Sequence, residues 1–136
     1  MKISTRGRYG VKAISVLALH YGRDPVSVRC ISKKERIPQD YIEQLFIKLK
    51  KCGLIKSVRG MKGGFLLVKP PSKVMIGNVM RCVGEPITQA PYIEGRNHHC
   101  VLDKNCIAQM FFKKMSKTLE KVMDSTSLAD LCNSKL

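Results

Sequence analysis

Of the 25 lysines and arginines in this 136-residue chain, 18 precede Cys82, and only four carboxylates accompany them; residues 82–136 carry seven cations against six carboxylates. Nearly all of the net charge of +15 therefore sits in one half. A folded half-chain so charged repels itself unless an anion neutralises it, and nucleic acid is the default partner, ahead of a merely solubilising surface or an anionic lipid face. The other residues with chemistry to offer are six cysteines, at positions 30, 52, 82, 100, 106 and 132. They are too scattered for a disulfide-stapled secreted domain and read as reduced thiols. Cys30, Cys52 and Cys132 read as small apolar interior residues, and the adjacent His98 and His99 as exposed loop residues. Catalysis finds no support. No nucleophile, base and stabiliser converge, and Gly60–Gly64 lacks the Gly-Lys-Ser/Thr ending of a phosphate loop.

These residues need a scaffold, and 136 residues with 44% hydrophobic content make one domain or a small domain with an appended element. From Tyr9 to Tyr21, Val11, Ile14, Leu17, Ala18 and Tyr21 recur at helical spacing, with Ser4 or Thr5 as N-cap and Gly22 as stop. A shorter helix over Val26–Lys34 has Ser27 as cap and Val28 and Ile31 facing inward. Pro38 ends that element and opens a third helix over Gln39–Lys51, with Tyr41, Ile42, Leu45, Leu49 and Phe46 as its apolar stripe. Gly53 stops it. Two short strands follow, Leu54–Val58 and Phe65–Val68, joined by the basic turn Arg59-Gly60-Met61-Lys62-Gly63-Gly64. This order predicts a winged helix-turn-helix, a mainly α fold with a small β-hairpin.

Pro70 and Pro71 end the hairpin, and a short helix spans Met75–Val83. Residues 84–105 have no periodicity and read as a long loop. A strong helical pattern then runs from Ile107 to Asp124, broken by Ser125-Thr126-Ser127 before a closing turn over Leu128–Cys132. A long apolar-striped helix on so small a domain predicts a homodimer. The boundaries follow: a DNA-binding domain over 1–83, a loop over 84–105, and a dimerisation helix with its tail over 106–136. Lys2, Arg6 and Arg8 ahead of the apolar run Ala13–Leu19 have the charge order of a leader. That run is broken at Ser15 and lacks a small-x-small site, so a cytoplasmic protein is expected.

The opening Met1-Lys2-Ile3-Ser4-Thr5-Arg6-Gly7-Arg8-Tyr9, the segment Tyr41-Ile42-Glu43-Gln44-Leu45, the run Gly53–Gly60 with Gly63-Gly64-Phe65, and the ending Asp124–Leu131 together resemble the IscR/NsrR/CymR family of bacterial transcription regulators. The resemblance spans essentially the whole chain. It implies a homodimer that binds a near-palindromic operator through its winged helix-turn-helix heads, with the long helix as the dimer interface. It places DNA contacts at Gln39, Tyr41, Glu43 and Gln44 of the third helix, and at Arg59 and Gly60 of the wing. The chemistry agrees: a glutamate accepts from cytosine, a glutamine pairs with adenine, and an arginine on a thin hairpin suits a narrow minor groove. Lys2, Arg6, Arg8, Lys48 and Lys62 are expected to contact phosphates.

Many members of this family hold an iron-sulfur cluster through three cysteines in the loop before the long helix. Here Cys100 and Cys106 match two of them, but Pro91-Tyr92-Ile93 stands where the third would fall. Near the start of the first helix, where some members supply another ligand, stand Arg8 and Lys12. Three readings follow. Cys100 and Cys106 hold a labile cluster or another metal with help from His98, His99 or Tyr92, with Cys82 a further ligand the sequence leaves open; they form a redox-switched disulfide; or the regulator is cluster-free and answers to a partner protein or small molecule.

Overall fold

The computed structural model describes residues 3–85 and 107–133 of the chain. Its elements run α1 (Thr5–Leu19), α2 (Val28–Glu35), α3 (Gln39–Lys51), β1 (Ile55–Val58), β2 (Gly64–Leu67), a 3-10 turn (Pro71–Lys73), α4 (Ile76–Cys82), α5 (Ile107–Ser125) and α6 (Leu128–Cys132). The expected winged helix-turn-helix is present. The strands pair antiparallel, from Ile55 with Leu67 to Val58 with Gly64.

α1 is the central helix because its Ala13, Ile14, Val16, Leu17 and Ala18 are all buried, and α3, α4 and α6 close on it. Tyr21, expected on its inner stripe, lies past the helix end and is exposed. Ser4 is the N-cap residue, but its side chain does not cap α1. Its hydroxyl and its backbone N–H (2.9 Å) donate instead to the buried carboxylate of Glu85. The start of α1 is thereby tied to the residues that follow α4.

α2 begins two residues later than its apolar pattern suggests, because Val26 is taken by the wing: Val26 and Phe65 exchange backbone hydrogen bonds of 3.0 and 2.8 Å. Ser27 caps α2 by accepting from the Cys30 N–H at 3.1 Å. The helix ends on Arg36 in the left-handed region (φ 57°), which for a residue with a Cβ costs about 1 kcal/mol or more. Burial of Ile37 holds that bend, and the Pro38 carbonyl accepts the first amides of α3.

At the other end of the molecule, α5 packs against α4, where Met80 and Met123 are buried with Ile3, Val11, Ile76 and Leu119 beside them. Arg81 and Asp124 form a bidentate ion pair at 2.8 Å across the same joint. This hydrogen bond holds the Asp124 carboxyl below the usual carboxylate range and raises Arg81. The Ser127–Asp130 capping box turns the chain back into α6, whose Leu128 is buried in the core of the head. The remainder of the α5 stripe is bare: Ile107, Met110, Phe111, Met115 and Val122 are exposed.

Candidate nucleic-acid interface

α3 has two distinct faces. Ile42, Leu45, Phe46 and Leu49 are buried in the core. At 3.6 residues per turn the opposite side is the stripe Asp40, Gln44, Ile47, Lys51, flanked by Glu43 on one edge and Lys48 on the other; all six are exposed. A long helix face of hydrogen-bonding and cationic side chains with no protein partner is what a major groove accepts. The inner face fixes its pose. Phe46 packs edge-on against Phe65 of the wing at 4.8 Å between ring centroids, and Tyr41 against Tyr9 of α1 at 5.4 Å. Aromatic contacts therefore join both the wing and the central helix to the recognition helix.

The wing is thin for a steric reason. A Cβ on Gly64 would collide with the Val26 carbonyl, so only glycine lets β2 approach α2 closely enough to make the Val26–Phe65 bridge. Gly60 adopts φ 117°, a left-handed-side conformation that side chains rarely tolerate, and its carbonyl accepts from the Gly63 N–H at 2.9 Å. That turn displays Arg59, Met61 and Lys62 to solvent, with Met61 fully exposed. At the wing's base the Lys50 ammonium donates to the Ser57 hydroxyl at 3.0 Å, linking the end of α3 to β1.

Gln39, Glu43, Gln44, Lys48, Arg59, Gly60 and Lys62 are all exposed on α3 or the wing, as expected of contact residues. Tyr41 is half-buried, so part of its surface serves packing against α1. Arg6 and Arg8 are exposed on the first turns of α1, and Lys2 lies outside the described residues. Three positions on the outward stripe, Asp40, Ile47 and Lys51, are not among the contacts expected from the sequence. Asp40 and Lys51 are charged and exposed, and Ile47, 56% exposed, is apolar yet faces away from the core. Their four-and-three spacing with Gln44 is the available signal; an exposed isoleucine there suits a thymine methyl.

The thiols differ from expectation. Cys30 and Cys52 are exposed rather than interior. Cys52 and Cys82, 30 residues apart, are joined as a disulfide, so Cys82, expected as a further possible metal ligand, is here bonded to another cysteine. Cys132 is half-buried, and burial pushes its thiol up. Cys100, Cys106, His98, His99 and Tyr92 lie outside the described residues. Among the described residues no three His, Cys, Asp or Glu side chains are grouped to hold a metal ion, and no helix is long and apolar enough to cross a membrane.

Comparison with known proteins agrees with this geometry. Residues 3–134 match the Rrf2 family, described as iron-dependent transcriptional regulators. The chain is 34% identical to the HTH-type transcriptional regulator IscR of Serratia proteamaculans, over 99% of this chain and 81% of that one. It is 32% identical to the HTH-type transcriptional regulator CymR of Bacillus subtilis, over 98% and 91%. The structure of B. subtilis CymR, titled the global cysteine regulator, superposes with a TM-score of 0.86 at 30% identity, covering 98% of each chain.

Proposed function

The chain belongs to the Rrf2 family and is a DNA-binding transcriptional regulator, and from that premise we propose that it works in the cytoplasm as a homodimer on a near-palindromic operator. The observation that carries this reading is the outward face of α3, exposed along its whole length and held by a fully buried inner face. Residues 1–83 are the DNA-binding unit, 84–105 the sensor loop and 106–136 the dimerisation element, with α6 returning to the head. α3 enters the major groove with Gln39, Glu43 and Gln44 at base edges and Tyr41 beside them. Arg59 and Gly60 of the wing follow the minor groove, and Lys2, Arg6, Arg8, Lys48 and Lys62 meet phosphates. The bare stripe on α5 supports pairing with a second copy, because a soluble helix rarely leaves Ile107, Met110, Phe111 and Met115 to water.

The test is selection of duplexes from a random-sequence library by the purified protein, followed by footprinting. Two half-sites about one helical turn apart, or a multiple of it, are expected. A library that fails to enrich, or an enriched site without two-fold symmetry, overturns the reading.

The signal is assigned to Cys100 and Cys106, by iron-sulfur or thiol chemistry. Relatives named IscR and the iron-dependent description of the family support it. The donor set is one thiolate short of a three-cysteine site, so a cluster here needs an imidazole from His98 or His99, or the phenol of Tyr92. That shortfall supports a second reading, a cluster-free regulator controlled by a partner protein or a small molecule, and the likeness to a protein called the global cysteine regulator suits a signal from sulfur metabolism. A visible spectrum with iron and sulfide assays on anaerobically purified protein separates them: stoichiometric iron and sulfide support a cluster, and a colourless dimer that still binds DNA supports the second reading.

A further inference from the structure

The described residues contain a thiol pair in a mechanically consequential place. Cys52 is the C-cap of the recognition helix, its N–H bonded to the Lys48 carbonyl at 3.1 Å; Cys82 is the last residue of α4. Their Cα atoms are 6.1 Å apart, within the span a disulfide bridges. Helix packing brings the two together, since α3 and α4 both close on α1 and touch each other. The preceding residue, Arg81, is ion-paired to Asp124 of α5. Residues 81 and 82 thus tie α4 to the dimerisation helix on one side and to the end of the recognition helix on the other.

We propose that Cys52 and Cys82 are a reversible thiol switch that clamps the recognition helix to the α4–α5 joint and so tunes operator affinity. The oxidant is a peroxide. Exposed Cys52 attacks it as the thiolate and breaks the O–O bond. The sulfur becomes a sulfenic acid, and water or an alcohol leaves after taking a proton. The half-buried Cys82 thiol then displaces water from that sulfur and closes the S–S bond. Two thiols lose two electrons and two protons, which reduce the peroxide. A dithiol reductant reverses the step by exchange. Cys30 is exposed and Cys132 half-buried, and neither has a cysteine partner among the described residues.

The clamp removes rocking of α3 relative to α5 and leaves every cation in place. Operator binding needs both recognition helices held at one spacing, whereas non-specific binding needs only charge, so oxidation strengthens the first and spares the second. This inference rests on the DNA-binding reading but not on the Cys100/Cys106 loop. It is therefore tested in the full-length Cys100→Ser/Cys106→Ser protein, with a duplex selected from a random library and a scrambled duplex of the same composition. Peroxide treatment should remove two alkylatable thiols, link the peptides bearing residues 52 and 82, and tighten selected-duplex binding about five- to tenfold with scrambled-duplex binding unchanged. Dithiothreitol should reverse all three, and Cys52→Ser should abolish the response while retaining reduced-state affinity. The proposal is overturned if the crosslinked peptide is absent, or if it forms and selected-duplex affinity stays within about twofold or falls. Failure to select any duplex would count against the DNA-binding reading itself.

Discussion

Replacing Lys62 with alanine tests whether the wing turn lies on the DNA backbone, and the size of the effect follows from the charges the head presents. The described cations assigned to DNA are Arg6, Arg8, Lys48, Arg59 and Lys62, all exposed, so a dimer offers ten. Each phosphate contact releases counterions and contributes about 0.9 to the slope of log affinity against log salt, so full engagement gives a slope of about −9. Raising salt from about 50 to 200 mM then weakens binding by about 10⁵-fold. Lys62→Ala removes two contacts per dimer, which brings the slope to about −7 and the same salt step to about 10⁴-fold. Stability should not move, because Lys62 is exposed and has no ion pair among the described residues. Fluorescence anisotropy on selected and scrambled duplexes over a salt series measures it. Lys62→Ala should weaken both duplexes alike; Arg59→Ala should weaken the selected duplex more. An unchanged slope for Lys62→Ala refutes the placement of the wing, and equal losses for Arg59→Ala refute groove reading by that arginine.

Adjacent residues of α3 give an opposed pair. Phe46→Ala opens the core between α3 and the wing and should cost about 3–5 kcal/mol in denaturant unfolding, whereas Ile47→Ala should leave stability within about 0.5 kcal/mol and weaken only the selected duplex. Phe111→Glu places a charge on the bare α5 stripe and should yield monomers in sedimentation, with operator affinity lost and the head still folded. The Asp124 carboxyl, held low by its hydrogen bond to Arg81, contributes stability that is full above the unfolded carboxylate pKa and disappears as pH falls through its lower folded value. Thermal melts from pH 6 down to about pH 3 should show a small acid-side loss that Asp124→Asn removes; Arg81 adds no pH dependence there because it stays charged.

Local features were legible in the sequence wherever one residue decides the backbone. Pro38 sets the entry to α3, Gly53 its exit, and the glycines of the wing its turn, so the helix-turn-helix and hairpin could be placed within a residue or two. Charge was equally plain, because the cations of the head lie outside its core and their excess survives folding. What the sequence hid depends on contacts between distant segments. Nothing near Ser4 announces that its hydroxyl serves Glu85 rather than α1, and Val26 looks like the start of α2 until Phe65 claims it. Cys52 reads as a small interior residue and Cys82 as a further possible metal ligand because 30 positions divide them, and only the closure of α3 and α4 on α1 brings their Cα atoms to 6.1 Å.

Ile47 carries the same lesson at the candidate site. By residue type it belongs inside, and the apolar stripe of α3 without it is already complete in Ile42, Leu45, Phe46 and Leu49. Adding it would widen the stripe beyond what α1 and the wing can cover. An isoleucine left on the far side of a helix whose inner face is full costs solubility and gives the head no packing in return. On the face proposed for the major groove, between Gln44 and Lys51, it would be covered by a base edge with a methyl group, and loss of selected-duplex affinity in Ile47→Ala with scrambled-duplex affinity unchanged is the result that placement requires.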